Sequence, residues 1–300
     1  MKTHWLGENV EQIDTTLDQI EQLLPVFARY GLGKNKFLDV IVRDGPGEPL
    51  PVATVSKRYA LVQHAEAAGA VTAEIRRQGL DPADVPARLL ISEYGTRIAL
   101  RATLPDEYAF TPSDGHTMAL TFECFNSVDR SVPLMAAVGW FRFVCSNGLV
   151  VGTTTASVRQ RHSPALNIGE ISEVLAGGLA AAVGERKAFA KWSGTKVRQP
   201  QLVDWVNGPV AEAWGPHAAA RVYSITTTGQ DGTPEPVFRK VAPHERTLTE
   251  TAPVPGAKSA CDDAYGIAQT LAWVAAQRRN VAERIAWRAQ IPGLMARLAA

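Results

Sequence analysis

Arg88-Leu-Leu-Ile-Ser-Glu-Tyr-Gly-Thr-Arg-Ile-Ala-Leu-Arg-Ala-Thr-Leu104 decides the fold class. Two apolar runs flank Glu93-Tyr-Gly-Thr96, which has the composition of a hairpin turn. In the second run Ile98 and Leu100 alternate with Arg97, Ala99 and Arg101, the period of two of a half-buried strand. Arg97 and Arg101 therefore share one strand face. The pattern then repeats. His116 to Asn126 reads as a strand, Ser127-Val-Asp-Arg-Ser131 as a turn, and Pro133 to Cys145 as a returning strand. In that last strand Arg142 shares a face with Trp140, while Phe141 and Phe143 point the other way.

The flanking segments read as helices. Ser56 suits the cap of a helix over 57–78, with Tyr59, Val62, Val71 and Ile75 on its apolar face and Gly79 at its end. An alanine-rich helix is predicted over 168–192, where Gly177-Gly178 permits close packing. Further helices are predicted over 200–214 and 262–290. The amino-terminal 1–54 reads as an extension, with Leu17, Ile20, Leu24 and Phe27 at helical spacing and a short strand over 37–42. An α+β core domain spans 55–230. Residues 231–258, rich in proline, threonine and charge, read as an exposed loop or linker, and 259–300 as a carboxy-terminal helix. The order predicts an α+β fold: an antiparallel meander sheet of hairpins, helices packed on one face, and a helical carboxy-terminal part.

Composition narrows the function classes. The 300 residues carry a net charge of +1 and are 46% hydrophobic, an ordinary globular balance. Nucleic-acid binding must then come from a local patch. No apolar run reaches the roughly 18 to 20 residues that span a bilayer, so no membrane partner is expected. Cys124, Cys145 and Cys261 lie far apart, which fits a reducing cytoplasm and argues against a disulfide framework or a classical zinc site. There is no phosphate-binding glycine loop, dinucleotide fingerprint or nucleophile elbow. The six histidines are scattered. No metal, cofactor or catalytic residue is expected. Cys145 with His162 has no supporting signature as a nucleophile and base. Asp81, Asp84, Asp262 and Asp263 read as turn and helix-cap acids.

The candidate site is basic. Between Arg142 and Arg198 eight Lys and Arg face three Glu, a local excess of +5. Phosphate backbones are bound mainly by neutralising their charge. The candidate nucleic-acid-binding residues are Arg97, Arg101, Trp140, Arg142, Arg159, Arg161, His162, Arg186, Lys187 and Lys191. Tyr94, Trp140 and Trp192 are candidates for stacking bases. Asn147 and Gly148 tolerate positive φ and read as a structural turn.

Several of these residues carry a resemblance. Tyr59-Ala-Leu-Val-Gln-His64, Gly95-Thr-Arg-Ile-Ala-Leu100, Phe141-Arg-Phe-Val-Cys-Ser-Asn-Gly-Leu149 and Arg159-Gln-Arg-His162 resemble the phage- and plasmid-like family catalogued as domain of unknown function 932. The third segment resembles its Arg-x-x-Cys-x-Asn-x-Leu core; Gly148 departs from the threonine common after the asparagine. The resemblance covers roughly residues 50–230 and implies a prophage-associated bacterial cytoplasmic protein. The layout also looks like the core of Rad52-type single-strand annealing proteins, by fold-level analogy.

Together these readings lead to the expectation of a non-enzymatic protein that binds single-stranded DNA, assembles as a homo-oligomer and promotes annealing or recombination. Two alternatives stay open. One is a metal-dependent nucleic-acid-processing enzyme using Glu93, Glu123 or Asp129. The other is a host-defence or anti-defence factor that binds a protein through 231–258 and the last helix.

Overall fold

A computed structural model of the chain describes residues 6, 9–45, 48–112, 115–143, 150–237, 239–257 and 260–299. Strand β1 (Val10–Thr16) leads through two short 3-10 turns to β2 (Val26–Gly31), β3 (Leu38–Asp44) and β4 (Leu50–Ser56). Helix α1 (His64–Arg77) precedes the hairpin β5 (Pro86–Ser92) and β6 (Arg97–Thr103). The two-residue β7 (Ala109–Phe110), the hairpin β8 (Met118–Ser127) and β9 (Leu134–Phe143), and β10 (Val150–Gln160) complete the strands of the core. Helices α2 (Gly169–Gly194), α3 (Gln199–Trp205), α4 (Ala211–Trp214) and α5 (Pro216–Thr228) follow. Strands β11 (Gln230–Pro234) and β12 (Leu248–Pro253) pair, and α6 (Ala264–Ala276) and α7 (Val281–Ala299) end the described chain.

The fold is α+β. The main sheet has the order β1-β5-β6-β8-β9-β10, with β7 on β8, and every pairing is antiparallel. Register fixes its faces. Leu89 lies opposite Leu100, Leu100 opposite Cys124, and Cys124 opposite Ala136. All four are buried in one core with Val71 and Ile75 of α1 and Ile171 and Leu175 of α2. The alternate residues Phe125, Met135 and Ala137 pack on Val281 and Ile285 of α7. Helices thus cover both faces at β8 and β9, where one covered face was expected. The reason is in those strands: Phe122 and Phe125, like Ala136 and Ala137, are apolar on both parities, and a strand buried on both sides loses its alternation.

Of the pair Gly177-Gly178, only Gly178 is packed. A Cβ there would meet Val138 Cγ1 at 1.8 Å, whereas Gly177 has open space around it. Gly178 lets α2 approach β9. Helices α3 and α4 are joined by a π turn over Val206–Val210 that contains Pro209. Proline has no N–H to donate, and the wider turn accommodates it.

Several expectations are corrected. Leu17, Ile20, Leu24 and Phe27 are all buried, but on 3-10 turns and β2 rather than on one helix. Pro25 stops any helix there, and the residues before it, as β1, add an edge strand to the core sheet. The amino-terminal stretch is therefore built into the core. Helix α1 starts at His64 instead of near 57, where Gln63 and Glu66 form a reciprocal capping box. Residues 231–258 hold β11 and β12 rather than only loop. The carboxy-terminal helix is two helices, α6 and α7, parted at 277–280.

Candidate nucleic-acid interface

One cleft gathers the turn after β8, the end of β10, the segment after β4 and the start of α7. It encloses about 520 Å³, and Tyr59, Arg130, Arg159, Arg161, His162 and Asn280 are among its lining residues. Met135 and Val281 add apolar floor. Among the described residues no Asp or Glu lines it.

Local hydrogen bonds explain why these side chains converge. Ser127 Oγ donates to Val132 O at 2.7 Å and accepts from Val132 N at 3.1 Å. Asp129 accepts from Ser131 N and from Arg97 Nε, each at 2.9 Å. These bonds close the turn and leave Arg130 exposed at its tip, at a left-handed φ of 67°. The Tyr59 hydroxyl donates to Ser127 O at 3.0 Å. The Tyr59 ring stacks on His162 at 5.0 Å and 26°. His162 Nδ1 lies 3.1 Å from Ala60 O and donates to it. Asn280 Oδ1 accepts from Ala282 N and Glu283 N and so caps α7, whose positive end adds to the cationic field.

Arg130, Arg159 and Arg161 are exposed. None has an ion-pair partner among the described residues. Burial lowers the pKa of His162, opposed by the carbonyls of Ala60 and Val132. The imidazole is neutral at pH 7, and the three guanidinium groups carry the charge of the cleft.

Arg130 is a place where conformation and charge conflict. A non-glycine residue in the left-handed region costs roughly 1 kcal/mol. Arg130→Gly is expected to raise the thermal midpoint slightly while weakening anion binding to the cleft. Unfolding scans and binding titrations on the same protein check both signs; a fall in both would show that Arg130 holds the turn instead.

The other predicted residues divide by location. Arg97 is tied to Asp129. Arg101 pairs with buried Glu123 at 2.9 Å, and Arg288 holds that carboxylate's other oxygen. Arg186 Nη2 donates to Glu107 O and Ala109 O at 2.9 and 3.1 Å, and its guanidinium sits 5.1 Å from the Trp140 ring centroid. Lys187 and Lys191 are exposed on α2 and do not line the cleft. The strand face carrying Arg97 and Arg101 is therefore charge-paired rather than open. Of the ten predicted residues only Arg159, Arg161 and His162 meet in the cleft. Tyr59, Arg130 and Asn280 were not foreseen as site residues. An arginine at the tip of a tight turn, where glycine or asparagine is favoured, was the available signal for Arg130.

The family model described as domain of unknown function (DUF932) matches residues 51–224, a span that includes Tyr59, Arg130, Arg159, Arg161 and His162. The chain belongs to the DUF932 family. No curated protein and no solved structure matches it. Asn280 of the cleft lies outside the DUF932 match, so the last helix adds to a site that the family segment mostly builds.

Within the DUF932 core segment, Trp140 and Arg142 are 1% and 7% exposed. Both side chains are turned into the protein interior, so neither presents the open surface that was expected of it. Trp192 packs on Phe189 at 5.3 Å between ring centroids, which leaves Tyr94, 54% exposed, as the one surface aromatic of the three expected to stack. Cys145, Asn147 and Gly148 lie outside the described residues. Cys124 and Cys261 are free, and burial raises both thiols. Asp81 caps a 3-10 turn, Asp263 caps α6 and Asp262 pairs with Lys196. Glu123 and Asp129, candidates for metal ligation, are held by arginines. Among the described residues no group of three His, Cys, Asp or Glu is gathered as a metal site, and no helix is long and apolar enough to cross a membrane.

Proposed function

We propose that this protein binds the phosphate backbone of nucleic acid in the Arg130–Arg159–Arg161 cleft, with single strands favoured. The observation that carries the reading is a concave site with three exposed guanidinium groups that have no ion-pair partner among the described residues, and with no carboxylate among the described residues that line it. Arginine presents a planar fork of donors that matches phosphate oxygens, and its charge replaces condensed counterions. A flexible single strand bends its backbone into a recess, whereas a duplex is stiff over about 150 base pairs. Binding by backbone charge is indifferent to sequence, as an annealing protein requires.

Anisotropy titrations of labelled single- and double-stranded oligonucleotides across a salt series test this. Arg159→Ala and Arg161→Ala are each expected to weaken binding for every sequence and to lower the salt slope by about 0.7 to 1. Arg186→Ala, which removes a cation from outside the cleft, is expected to leave the slope unchanged. Slopes identical to the parent in both cleft variants would overturn the assignment, as would absence of binding at low salt.

A further inference from the structure

The three-stranded sheet β2-β3-β4 lies beside the cleft and bears an exposed aromatic that the cleft itself lacks. Phe37 is 79% exposed, the most exposed of the large apolar residues among those described. It is not on a loose tip. Asn35 Oδ1 accepts from Phe37 N at 2.8 Å and from Leu38 N at 3.0 Å, and Phe37 O accepts from Lys57 N at 3.0 Å. Lys57 follows Ser56, which lines the cleft, and is two residues from Tyr59. Arg29 binds the two segments more firmly: its guanidinium donates to Tyr59 O at 2.7 Å and to Ser56 O at 3.1 Å and pairs with Asp39. The Phe37 backbone is thus fixed within one hydrogen bond of the cleft rim.

The surroundings are cationic. Residues 29–37, Arg-Tyr-Gly-Leu-Gly-Lys-Asn-Lys-Phe, contain no Asp or Glu, and neither do residues 56–64, Ser-Lys-Arg-Tyr-Ala-Leu-Val-Gln-His. Lys36 and Arg58 are exposed, without an ion-pair partner among the described residues. Lys57 shares Asp39 with Arg29 at 4.0 Å. A surface aromatic on a pinned backbone between unpaired cations has the composition of a base-stacking platform with phosphate anchors. It is poorly suited to a dry protein contact, since the cations would be desolvated.

We propose that Phe37 stacks an unpaired base of a strand whose backbone lies in the arginine cleft, with Lys36 and Arg58 holding the flanking phosphates. This rests on the nucleic-acid reading above and adds to it the part of the ligand that is recognised: the face of a base, which only a single strand presents.

The test compares the full-length parent, Phe37→Ala and Phe37→Trp by anisotropy. The ligands are a normal single-stranded oligonucleotide, an abasic one of equal length, and a duplex. Phe37→Ala is expected to weaken the normal single strand about tenfold at an unchanged salt slope. It should leave the abasic strand and the duplex as they were. Phe37→Trp should retain or tighten single-strand binding. If Arg161→Ala weakens binding but Phe37→Ala does not, the cleft reading stands and the stacking inference falls. If the parent binds no ligand, both fall. Sedimentation of the same samples covers the remaining occupant. A dimeric parent that Phe37→Ala makes monomeric, with binding per site unchanged, assigns the surface to a second copy of the chain and overturns the proposal.

Discussion

Glu123→Gln is expected to lower stability by about 3 to 5 kcal/mol, the usual cost of stripping the counter-charge from a buried ion pair. Glu123 on β8 is 4% exposed and lies between the sheet and α7. Burial alone would raise its pKa. The charges and hydrogen bonds of Arg288 and Arg101 overcome that and hold it below the usual carboxylate range. Arg288 is 2% exposed and also covers the Phe141 ring at 4.6 Å. Arg284 adds a third guanidinium, 7% exposed, whose pKa falls to about 10 by burial and by the repulsion of Arg288 and Arg101. Two buried cations, Arg284 and Arg288, and the half-buried Arg101 thus depend on one carboxylate. The amide of glutamine keeps the volume and removes the anion that Arg101, Arg284 and Arg288 share. At roughly 2 to 4 °C per kcal/mol for a chain of this size, the melting temperature should fall by on the order of 10 °C. Arg288→Met, which retains an apolar stem and leaves Glu123 paired with Arg101, should cost less. Calorimetry on both variants checks the order. A Glu123→Gln protein melting within a degree or two of the parent would show that the cluster is not held by its charge.

The second large effect is in acid. His64 opens α1 and is fully buried: Nε2 donates to Gly95 O at 2.8 Å, and Nδ1 accepts from Asn126 Nδ2 at 3.0 Å. Both ring nitrogens are used by the neutral form, so the proton has no place. Burial lowers the pKa to about 4 from 6.5, against the pull of the Gly95 carbonyl. Above pH 6.5 the ring is neutral folded and unfolded, and stability is at its full value. Between 6.5 and 4 the unfolded chain binds a proton that the folded chain refuses, so stability falls with pH. The limit is about 3 kcal/mol at 1.36 kcal/mol per unit, with about 2 kcal/mol of it lost by pH 5. His162, also lowered by burial, adds to the loss as the pH falls below 6.5. Urea unfolding at pH 7.5, 6.5, 5.5 and 5 measures the slope above the range where carboxylates titrate. A His64→Gln protein should be less stable at pH 7.5 but flatter in pH. A slope unchanged by that substitution would assign the acid loss to other groups.

The hairpins were legible because each is local: an alternation, a turn of four or five residues, and an alternation back. Gly178 was legible for the same reason, a glycine beside a glycine in a helix that otherwise favours alanine. The amino-terminal helix failed because spacing of three and four residues is shared by an α-helix and by consecutive 3-10 turns, and the partner strand β5 decided between them. Charge was the least legible property. The excess of +5 over 142–198 was a correct sum but not a patch. Arg142 is buried within it, Arg186 is held against Trp140, and Lys196 is tied to Asp262, 66 residues away. Arg159, Arg161, Lys187, Lys191 and Arg198 stay exposed without an ion-pair partner among the described residues, and of these Arg159 and Arg161 meet Arg130, Tyr59 and Asn280 from other parts of the chain.

By itself the sequence determined the α+β class, the hairpin meander, the helical carboxy-terminal part and the DUF932 family, since each depends on residues close together in the chain. Only the tertiary structure decided which cations are free. An arginine's role depends on whether an acid reaches it, and here the acid is often distant: Glu123 and Arg288 are 165 residues apart. Short-range periodicity therefore reports the elements, while long-range pairing ties up Arg97, Arg101 and Arg288 and leaves Arg130, Arg159 and Arg161 exposed in one cleft without an ion-pair partner among the described residues.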